Sequence, residues 1–584
     1  MHIRKKKINK QSLFVLWSFC VICLISILLI RHLDSLYAPW VNNDETGYWG
    51  AAAYFAGYDW SDILQYSDYY SFGYGIILAP LFLILKTPVL LYRGAIIINV
   101  LFVVLVYIIA YKIIRMLYDS IESYTASLIA LMSTLTSGTI LQAETAWAET
   151  TILLFTWLIF FTFLKYLFSK RRVYLVCFAL CNAYIYMVHQ RMIGILIASL
   201  LVLVICLSQK KISLKNFFLV CIIIILGVIV ASIVKDGLQY ILWNKGDLES
   251  NLNTVNVNDY SGQMEKIRKI FSSGANFLLF CKLALGKIFY FVYASYFMFP
   301  FVIFCVINKI VSKKWEFSIS HIFLIFVFLS AILMLGITSA FMYPAGRNDT
   351  IIYGRYAETI VGPCFLVGIC TLLTTFNRKK FTGACLCLFG SVFEIIVMLF
   401  IKNVIWNYDQ ETFTLNIPVM ARYIVDGEFY LTKFTVEILI ISLIFSCVML
   451  LYSNKKNLIW LLTAVLIFLN IQNEKKVYDW YIQPLQAQKK QIIDMVENNS
   501  ELLESLGRVY FMTQDEFNPD ANRNTIQFAM RELEIISVDE QDYKKELENM
   551  EVLFINKSNP KLEYIMDEFQ ILDENSILVL AVKK

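Results

Sequence analysis

Two adjacent carboxylates follow the first long apolar run, in the stretch "PWVNNDETGYWGAAAYFAGYDW". Asp44 and Glu45 stand among aromatic residues, including Tyr48, and a short apolar segment with glycine and proline comes next. Aromatic side chains concentrate at membrane–water interfaces. A carboxylate held at that depth could accept a proton from an alcohol, or bind a metal ion that neutralises a phosphate. The pattern predicts a pocket with these two acids as catalytic candidates, and a solvated loop is the alternative.

Three more charged residues lie close to the starts of later apolar runs. Arg93 stands near the start of one run, where it could bind phosphate oxygens through two parallel hydrogen bonds or simply extend to the interface. Glu144 and Glu149 flank Trp147 in the turn "QAETAWAET". They are candidates for substrate binding, with helix capping and solvation as the alternative.

A polar break interrupts an otherwise apolar stretch at "MVHQRMIG". It contains His189, Gln190 and Arg191. Within an apolar stretch, these polar side chains need water, each other or a ligand as hydrogen-bond partners. We expect them to contact the substrate.

A second cationic segment, "IIYGRYAETIVGP", precedes a later apolar run. Arg355 stands between Tyr353 and Tyr356, a combination that suits a phosphate or a sugar ring. An interface anchor is the alternative interpretation.

The composition predicts what must position these side chains. The chain has 584 residues, of which 58% are hydrophobic, whereas soluble domains are about 45–50% apolar. Since about 20 apolar residues cross a bilayer as a helix, we predict an α-helical polytopic membrane protein with about 13 transmembrane helices. The predicted spans are approximately 12–31, 90–112, 124–141, 150–168, 173–189, 192–208, 216–234, 285–308, 318–340, 357–375, 382–401, 432–452 and 457–472.

The basic residues predict the orientation of these spans. "HIRKKKINK", "SKRR", "SQKKISLK", "NKIVSKKWE", "NRKK" and similar clusters all fall on one side, which the positive-inside rule assigns to the cytoplasm. The amino terminus is then cytoplasmic, and the carboxyl terminus and the longest loops are extracytoplasmic, in a plasma membrane. Because topology explains the net charge of +5, nucleic acid is not an expected partner. The Lys-, Ile- and Asn-rich usage is typical of AT-rich bacterial genomes.

Two domains follow from the change in composition near residue 473. Residues 1–472 form the membrane domain, whose first outer loop, 32–89, carries an interfacial or re-entrant helix at "SFGYGIILAPLF". Residues 473–584 are polar and acidic and combine helical stretches with the short apolar runs "RVYFM", "VLFIN" and "ILVLAV". This pattern predicts a small extracytoplasmic α/β domain.

The sequence resembles the GT-C superfamily of membrane glycosyltransferases, in the branch of protein O-mannosyltransferases and lipid A aminoarabinose transferases. The resemblance covers roughly residues 10–210 in segment order, and more loosely 340–375. It depends on "NNDETGYW" at the start of the first outer loop, on "SFGYGIILAPLF", on Arg93 at the next span and on "GRYAETIVGP".

The resemblance implies an inverting transfer of a sugar from a polyprenyl-phosphate donor to a glycan, lipid or protein on the outer face. It implies that Asp44 is the base, with Glu45 as its neighbour. Arg93 and Arg355 become candidates for the leaving phosphate, and our own inference adds Arg191, where "HQRMIG" departs from the Lys before Gly-Pro of many relatives. Some branches need a divalent cation, Mg²⁺ or Mn²⁺, which Asp44 and Glu45 would bind here.

Two other functions are compatible with the pattern. A transporter or flippase of a lipid-linked saccharide would also carry broken helices and intramembrane charges, but it is expected to show an inverted repeat and polar groups at the midplane. A non-enzymatic surface protein could use the acidic tail to bind a partner. That alternative leaves the charged residues at the outer face unexplained.

Overall fold

The fold is described from a computed structural model, which covers most of the chain. The described residues are 10–243, 263–311, 317–343, 348–374, 377–406, 415–425, 428–451, 457–513, 520–539, 543 and 546–584.

Helices make up most of the membrane domain and α/β elements make up the tail. The α-helices are α1 Lys10–Ile30, α2 Asp44–Phe55, α3 Ser61–Leu64, α4 Gly73–Ile84, α5 Pro88–Leu117, α6 Ser123–Thr134, α7 Ser137–Ala143, α8 Glu149–Ser169, α9 Arg172–Val188, α10 Ile193–Ser208, α11 Leu214–Leu238, α12 Gln263–Ile270, α13 Gly274–Ala294, α14 Met298–Val311, α15 Ile319–Phe341, α16 Glu358–Thr374, α17 Asn377–Trp406, α18 Leu431–Leu451, α19 Leu458–Val477, α20 Gln483–Asn498, α21 Ser500–Leu506, α22 Ala521–Ala529 and α23 Leu562–Ile565. Single-turn helices at Gln190–Met192 and Arg355–Ala357 precede α10 and α16.

The prediction of a polytopic helical membrane protein is confirmed. Within the described residues, 10 helices are long and apolar enough to cross a membrane, or 11 if the bent pair α6–α7 counts as one span. The predicted span 285–308 is wrong in its bounds, because α13 ends at Ala294 and α14 begins at Met298. Tyr296 and Phe297 lie between them with φ of 49° and 64°, a left-handed conformation that ends a right-handed helix.

Two basic loops among the described residues, those at Lys170 and Lys211, meet at one end of the helices. The Lys170 ammonium donates to the Lys211 carbonyl at 2.9 Å, and the Tyr118 and Thr371 hydroxyls are 3.1 Å apart. Glu149 is the first of the 21 residues of α8, which spans about 30 Å and ends just before Lys170. The acidic candidates therefore lie at the opposite end of the membrane domain from these basic loops.

The first outer loop folds into three short helices, α2 to α4. Asp44 and Glu45 lie in the first turn of α2, where the partial positive charge of a helix start favours carboxylates. The predicted re-entrant segment forms α4, with Pro80 inside it. A Cβ on Gly73 would lie only 2.5 Å from the Val188 backbone nitrogen, so glycine lets α4 begin directly against the end of α9.

The carboxyl-terminal domain contains a five-stranded mixed sheet, and the three apolar runs predicted as strands lie in it. The sheet order is β4 (Glu534–Val538), β3 (Arg508–Met512), β5 (Val552–Asn556), β7 (Leu578–Lys583) and β6 (Phe569–Glu574). Strand β3 is parallel to β4 and β5, and β7 is antiparallel to β5 and β6. A short hairpin in the membrane domain supplies the first two strands, β1 Ile424–Val425 and β2 Glu428–Phe429.

This domain packs on the first outer loop. The Asn524 amide donates to Asn42 Oδ1 at 2.9 Å, and the Trp60 indole donates to the Arg531 carbonyl at 3.0 Å. The apolar helix that starts at Leu458 continues without a sharp break to Asn498, so the proposed boundary at 473 falls inside a helix. A helix, and not a flexible linker, joins the two domains.

Candidate functional site

Asp44 begins α2 and keeps its carboxylate at the surface of a buried network. Its side chain is 17% exposed. The Tyr70 hydroxyl donates to Asp44 Oδ1, and Arg355 Nη2 lies 2.6 Å from Oδ2. Because part of the Asp44 carboxylate meets solvent, its oxygens can be reached from outside the buried network.

Glu149 extends this network into the protein. Arg355 Nε donates to Glu149 Oε1 at 2.9 Å, and Arg191 donates to Oε2 of the same carboxylate. The order is Asp44–Arg355–Glu149–Arg191, so two carboxylates alternate with two guanidinium groups. The four charges balance, which is what makes such a buried arrangement affordable.

Separate elements deliver these residues to one place. Glu149 starts α8, and Arg191 lies in the single turn at the break between α9 and α10. Arg355 lies in the single turn that precedes α16. All three positions lie at helix ends. Side chains from separate helices can meet there.

Aromatic rings fix the two guanidinium groups. Arg355 lies over the Trp147 ring at 3.7 Å, and Arg191 lies over the Tyr356 ring at 4.0 Å. Tyr353 packs against Tyr356 with ring centroids 4.8 Å apart. Contacts of this type hold a cation in place when it is removed from water.

Three more residues that were predicted to bind substrate, Tyr48, His189 and Gln190, lie around this network. Tyr48 is buried against Tyr70, with ring centroids 5.3 Å apart, and burial raises its pKa well above the ordinary value. His189 Nδ1 accepts the backbone N–H of Arg191 at 3.3 Å and so supports the turn that carries that arginine. Gln190 begins the same turn.

Asp68 is a member of this region that the sequence reasoning missed. Burial, and then the charge of Asp44, raise its pKa to about 6. Asp68 precedes Tyr70 in the aromatic stretch "SDYYSFGY", and this proximity to aromatic residues was the available signal. A second carboxyl group, with its pKa raised to about 6, thus interacts with the charge of Asp44.

Glu45 faces a different environment from its neighbour Asp44. Its Oε2 accepts the backbone N–H groups of Trp40 and Val41 at 2.7 and 2.8 Å. Its Oε1 accepts from the Tyr92 hydroxyl at 2.9 Å and from the Ala146 N–H at 3.0 Å. Burial nevertheless raises its pKa to about 7. With four donors and no exposed surface, Glu45 ties the first outer loop to α5 and to the turn before α8.

Arg93 is not brought into the network. It donates to the Leu36 carbonyl at 3.1 Å and to the Asp34 carbonyl at 2.5 Å, and it lies over the Tyr37 ring at 5.6 Å. These contacts hold the start of the first outer loop against α5.

Glu144 also lies in a different cluster, although it is only five residues before Glu149. Arg31 Nη2 lies 3.6 Å from Glu144 Oε1. Burial raises the pKa of Glu144 to about 8.

The geometry at Asp44 and Glu45 does not fit a divalent cation. Asp44 already binds Tyr70 and Arg355, and both Glu45 oxygens accept two hydrogen bonds each. Neither residue belongs to a group of three potential ligands within the described part of the chain. We therefore derive no step through a metal ion at this site.

Comparisons with known proteins give a match in structure. No protein-family model matches the chain, and no curated protein matches it. The crystal structure of ArnT from Cupriavidus metallidurans bound to undecaprenyl phosphate superposes with a TM-score of 0.55 at 12% identity, covering 97% of each chain. The apo state of the same protein gives a TM-score of 0.53 at 11% identity and covers 98% of each chain. The archaeal oligosaccharyltransferase AglB from Archaeoglobus fulgidus gives a TM-score of 0.44, with 92% of this chain and 69% of that chain covered. The fold agrees with that of ArnT over nearly the whole length, and the expected GT-C membrane glycosyltransferase fold is confirmed.

Proposed function

We propose that the protein transfers a sugar, with inversion, from a polyprenyl-phosphate donor to an acceptor at the outer face of the plasma membrane. The observation that carries this proposal is the partly exposed Asp44 carboxylate, in contact with a buried guanidinium, at the end of the membrane domain opposite the basic loops. The positive-inside rule assigns those loops to the cytoplasm and the network to the outer face. The similarity to ArnT bound to undecaprenyl phosphate supports a donor of this class.

Arg355 is the proposed ligand of the leaving phosphate. Its guanidinium group now binds carboxylates of Asp44 and Glu149, and phosphate oxygens suit the same donor geometry. An arriving phosphate would replace one of these carboxylates. The Arg355 guanidinium is already removed from water, so phosphate binding would not require it to lose more. Arg191, held by Glu149 and Tyr356, would add a second fixed positive charge close to the phosphate.

Asp44 is the proposed general base. The acceptor oxygen attacks the anomeric carbon while its proton moves to the Asp44 carboxylate. The new carbon–oxygen bond forms as the bond to the phosphate oxygen breaks, and the electron pair leaves with the polyprenyl phosphate. This single displacement inverts the anomeric configuration. Glu45 positions Asp44 through its four hydrogen bonds and does not contact the reacting atoms.

The acceptor class stays open between a glycan, a lipid and a protein. The carboxyl-terminal domain contacts the first outer loop beside Asp44 through Asn524, which donates to Asn42 at 2.9 Å and to Thr46 at 3.2 Å. This proximity supports a role for that domain near the acceptor side.

The test uses purified full-length protein in nanodiscs with radiolabelled polyprenyl-phosphate sugars, including glucose, mannose, galactose, aminoarabinose and N-acetylhexosamine. Asp44→Asn removes one charge with almost no change in volume. We expect hydrolysis or transfer from one donor to fall by about 10²–10⁴-fold, the usual contribution of a general base.

Asp34→Asn is the matched control, because Asp34 lies in the same loop with a fully exposed carboxylate. Its turnover should stay within about twofold of the wild type. Unchanged turnover in Asp44→Asn would remove Asp44 as the base. Donor binding without any turnover, together with movement of the donor across the bilayer, would favour a flippase instead.

A further inference from the structure

A second cluster of charged residues lies where α1 ends. Within the described residues, His32, Glu144 and Glu474 form the one group of three His, Cys, Asp or Glu side chains whose potential ligand atoms come together, all within 4.8 Å of one another. His32 follows α1, Glu144 follows α7 and Glu474 lies near the end of α19. Three distant parts of the chain therefore converge on one point.

The potential ligand atoms in this cluster lack hydrogen-bond partners. Both oxygens of Glu144, Oε1 of Glu474 and Nε2 of His32 are buried without a hydrogen bond. Both glutamate side chains are fully buried. A buried carboxylate oxygen with no donor is costly, so this arrangement calls for a bound positive group.

Arg31 supplies only part of the positive charge required. It contacts Glu474, and its Nη2 is 3.6 Å from Glu144 Oε1, which exceeds hydrogen-bond length. Two buried carboxylates thus face one guanidinium, and a single negative charge remains. Either a proton or a metal cation must compensate that charge.

We propose that His32, Glu144 and Glu474 bind a divalent transition-metal ion such as Zn²⁺. Ligands at about 2.0–2.2 Å from a tetrahedral zinc lie about 3.3–3.6 Å apart, and His32 Nε2 is 3.7 Å from Glu474 Oε1. One imidazole nitrogen with two carboxylates favours zinc or manganese over Mg²⁺ and Ca²⁺, which prefer ligands made of oxygen alone.

The surroundings of His32 are compatible with metal binding. Its ring stacks on Tyr478 with centroids 3.5 Å apart, which fixes the imidazole plane. The Tyr478 hydroxyl is in turn 2.5 Å from the Ser35 hydroxyl. Arg31 is 23% exposed, so its guanidinium can move toward solvent when a cation enters.

The ion would be structural. It would tie the outer end of α1 and the turn at Glu144 to α19, the helix that leads to the carboxyl-terminal domain. Loss of the ion should loosen that connection without removing a catalytic group.

The test measures metal in full-length protein purified in detergent by a tag without histidine. Elemental analysis should find about one zinc per chain. Dialysis against a chelator should remove it and lower the melting temperature, and titration with Zn²⁺ should restore both and show one binding site by calorimetry. The same titration with Mn²⁺ compares the two candidate ions.

The variants His32→Ala and Glu474→Gln should reduce zinc occupancy by at least about tenfold. His321→Ala is the matched control, since that histidine lies at the start of α15, away from the cluster, and should retain full occupancy. Equal occupancy in the wild type and His32→Ala would identify a zinc ion bound elsewhere and overturn the proposal. Chelator-treated wild type that binds neither zinc nor manganese would also overturn it, and this measurement needs no variant to fold.

Discussion

Two charged clusters lie at the end of the membrane domain opposite the loops of Lys170 and Lys211, and they differ in charge balance. In the network of Asp44, Glu149, Arg191 and Arg355, each carboxylate contacts a guanidinium and the net charge is zero. In the cluster at the end of α1, Glu144 and Glu474 share Arg31 alone.

This difference in net charge determines which kind of ligand each cluster can bind. A balanced network in contact with solvent can exchange one anion for another, such as a carboxylate for a phosphate, at little cost in charge. An unbalanced buried pair of carboxylates binds a cation or holds a proton. Similar residue types thus support opposite ligand preferences, and the ratio of acids to bases decides between them.

The largest expected effect comes from upsetting the balanced network. Glu149→Gln leaves Arg191 and Arg355 with one carboxylate between them. Removing one partner of a buried ion pair costs about 3–5 kcal/mol, so the melting temperature should fall strongly. Glu122→Gln, at an exposed position, is the control and should change stability by less than about 0.5 kcal/mol. Equal shifts in both variants would show that the network contributes nothing to stability.

The second effect concerns pH. The folded-state pKa of Glu45 is about 7 against an ordinary value of 4.5, so its contribution to stability is fully present below pH 4.5 and is lost as the pH rises through 7. The loss is about 3 kcal/mol by linkage. Asp68, with a pKa of about 6, acts in the same direction.

Thermal unfolding at pH 5 and pH 7.5 measures this effect. The wild type should lose melting temperature between the two values, and Glu45→Gln should reduce the difference by removing one titrating group. A difference of unchanged size in the variant would mean that Glu45 keeps one protonation state in folded and unfolded protein.

The third effect tests the unbalanced cluster. In the presence of chelator, Glu474→Gln leaves Glu144 paired with Arg31 and should raise stability slightly, by about 1 kcal/mol. With zinc present, the same variant should be less stable than the wild type. A fall in melting temperature under both conditions would show that the carboxylate pair is stable without any cation.

The smallest effect is expected at Arg93, which binds backbone carbonyls outside both clusters. Arg93→Met keeps much of the side-chain volume and should change donor turnover by less than about threefold. A loss comparable with that of Asp44→Asn would place Arg93 in contact with the substrate after all.

The fold class could be predicted from the sequence because long apolar runs must be buried in a membrane and short ones in the core of a domain. The strands "RVYFM", "VLFIN" and "ILVLAV" formed as predicted, since short apolar runs between polar segments have few other ways to be buried. The bounds near 295 were missed because Tyr296 and Phe297 are apolar, so hydropathy does not mark the break.

The site was accessible only as a set of candidates. Asp44 meets Arg355, and Glu149 meets Arg191, through the arrangement of helices that are far apart in the chain, and no sequence period encodes those pairs. Asp44 and Glu45 are adjacent in the sequence, but neighbours on a helix point about 100° apart. That angle sends Asp44 to the network and Glu45 to a buried set of backbone donors.

The helix from Leu458 to Asn498 sets the distance and the relative rotation of the two domains. Its 41 residues measure about 60 Å, twice the hydrocarbon thickness of a bilayer. One residue inserted into it would turn everything beyond by about 100° and advance it by about 1.5 Å. The hydrogen bond from Asn524 to Asn42 forms only when the sheet domain has one rotation about this helix relative to the membrane domain. Length changes in this helix should therefore be tolerated only in multiples that restore this rotation.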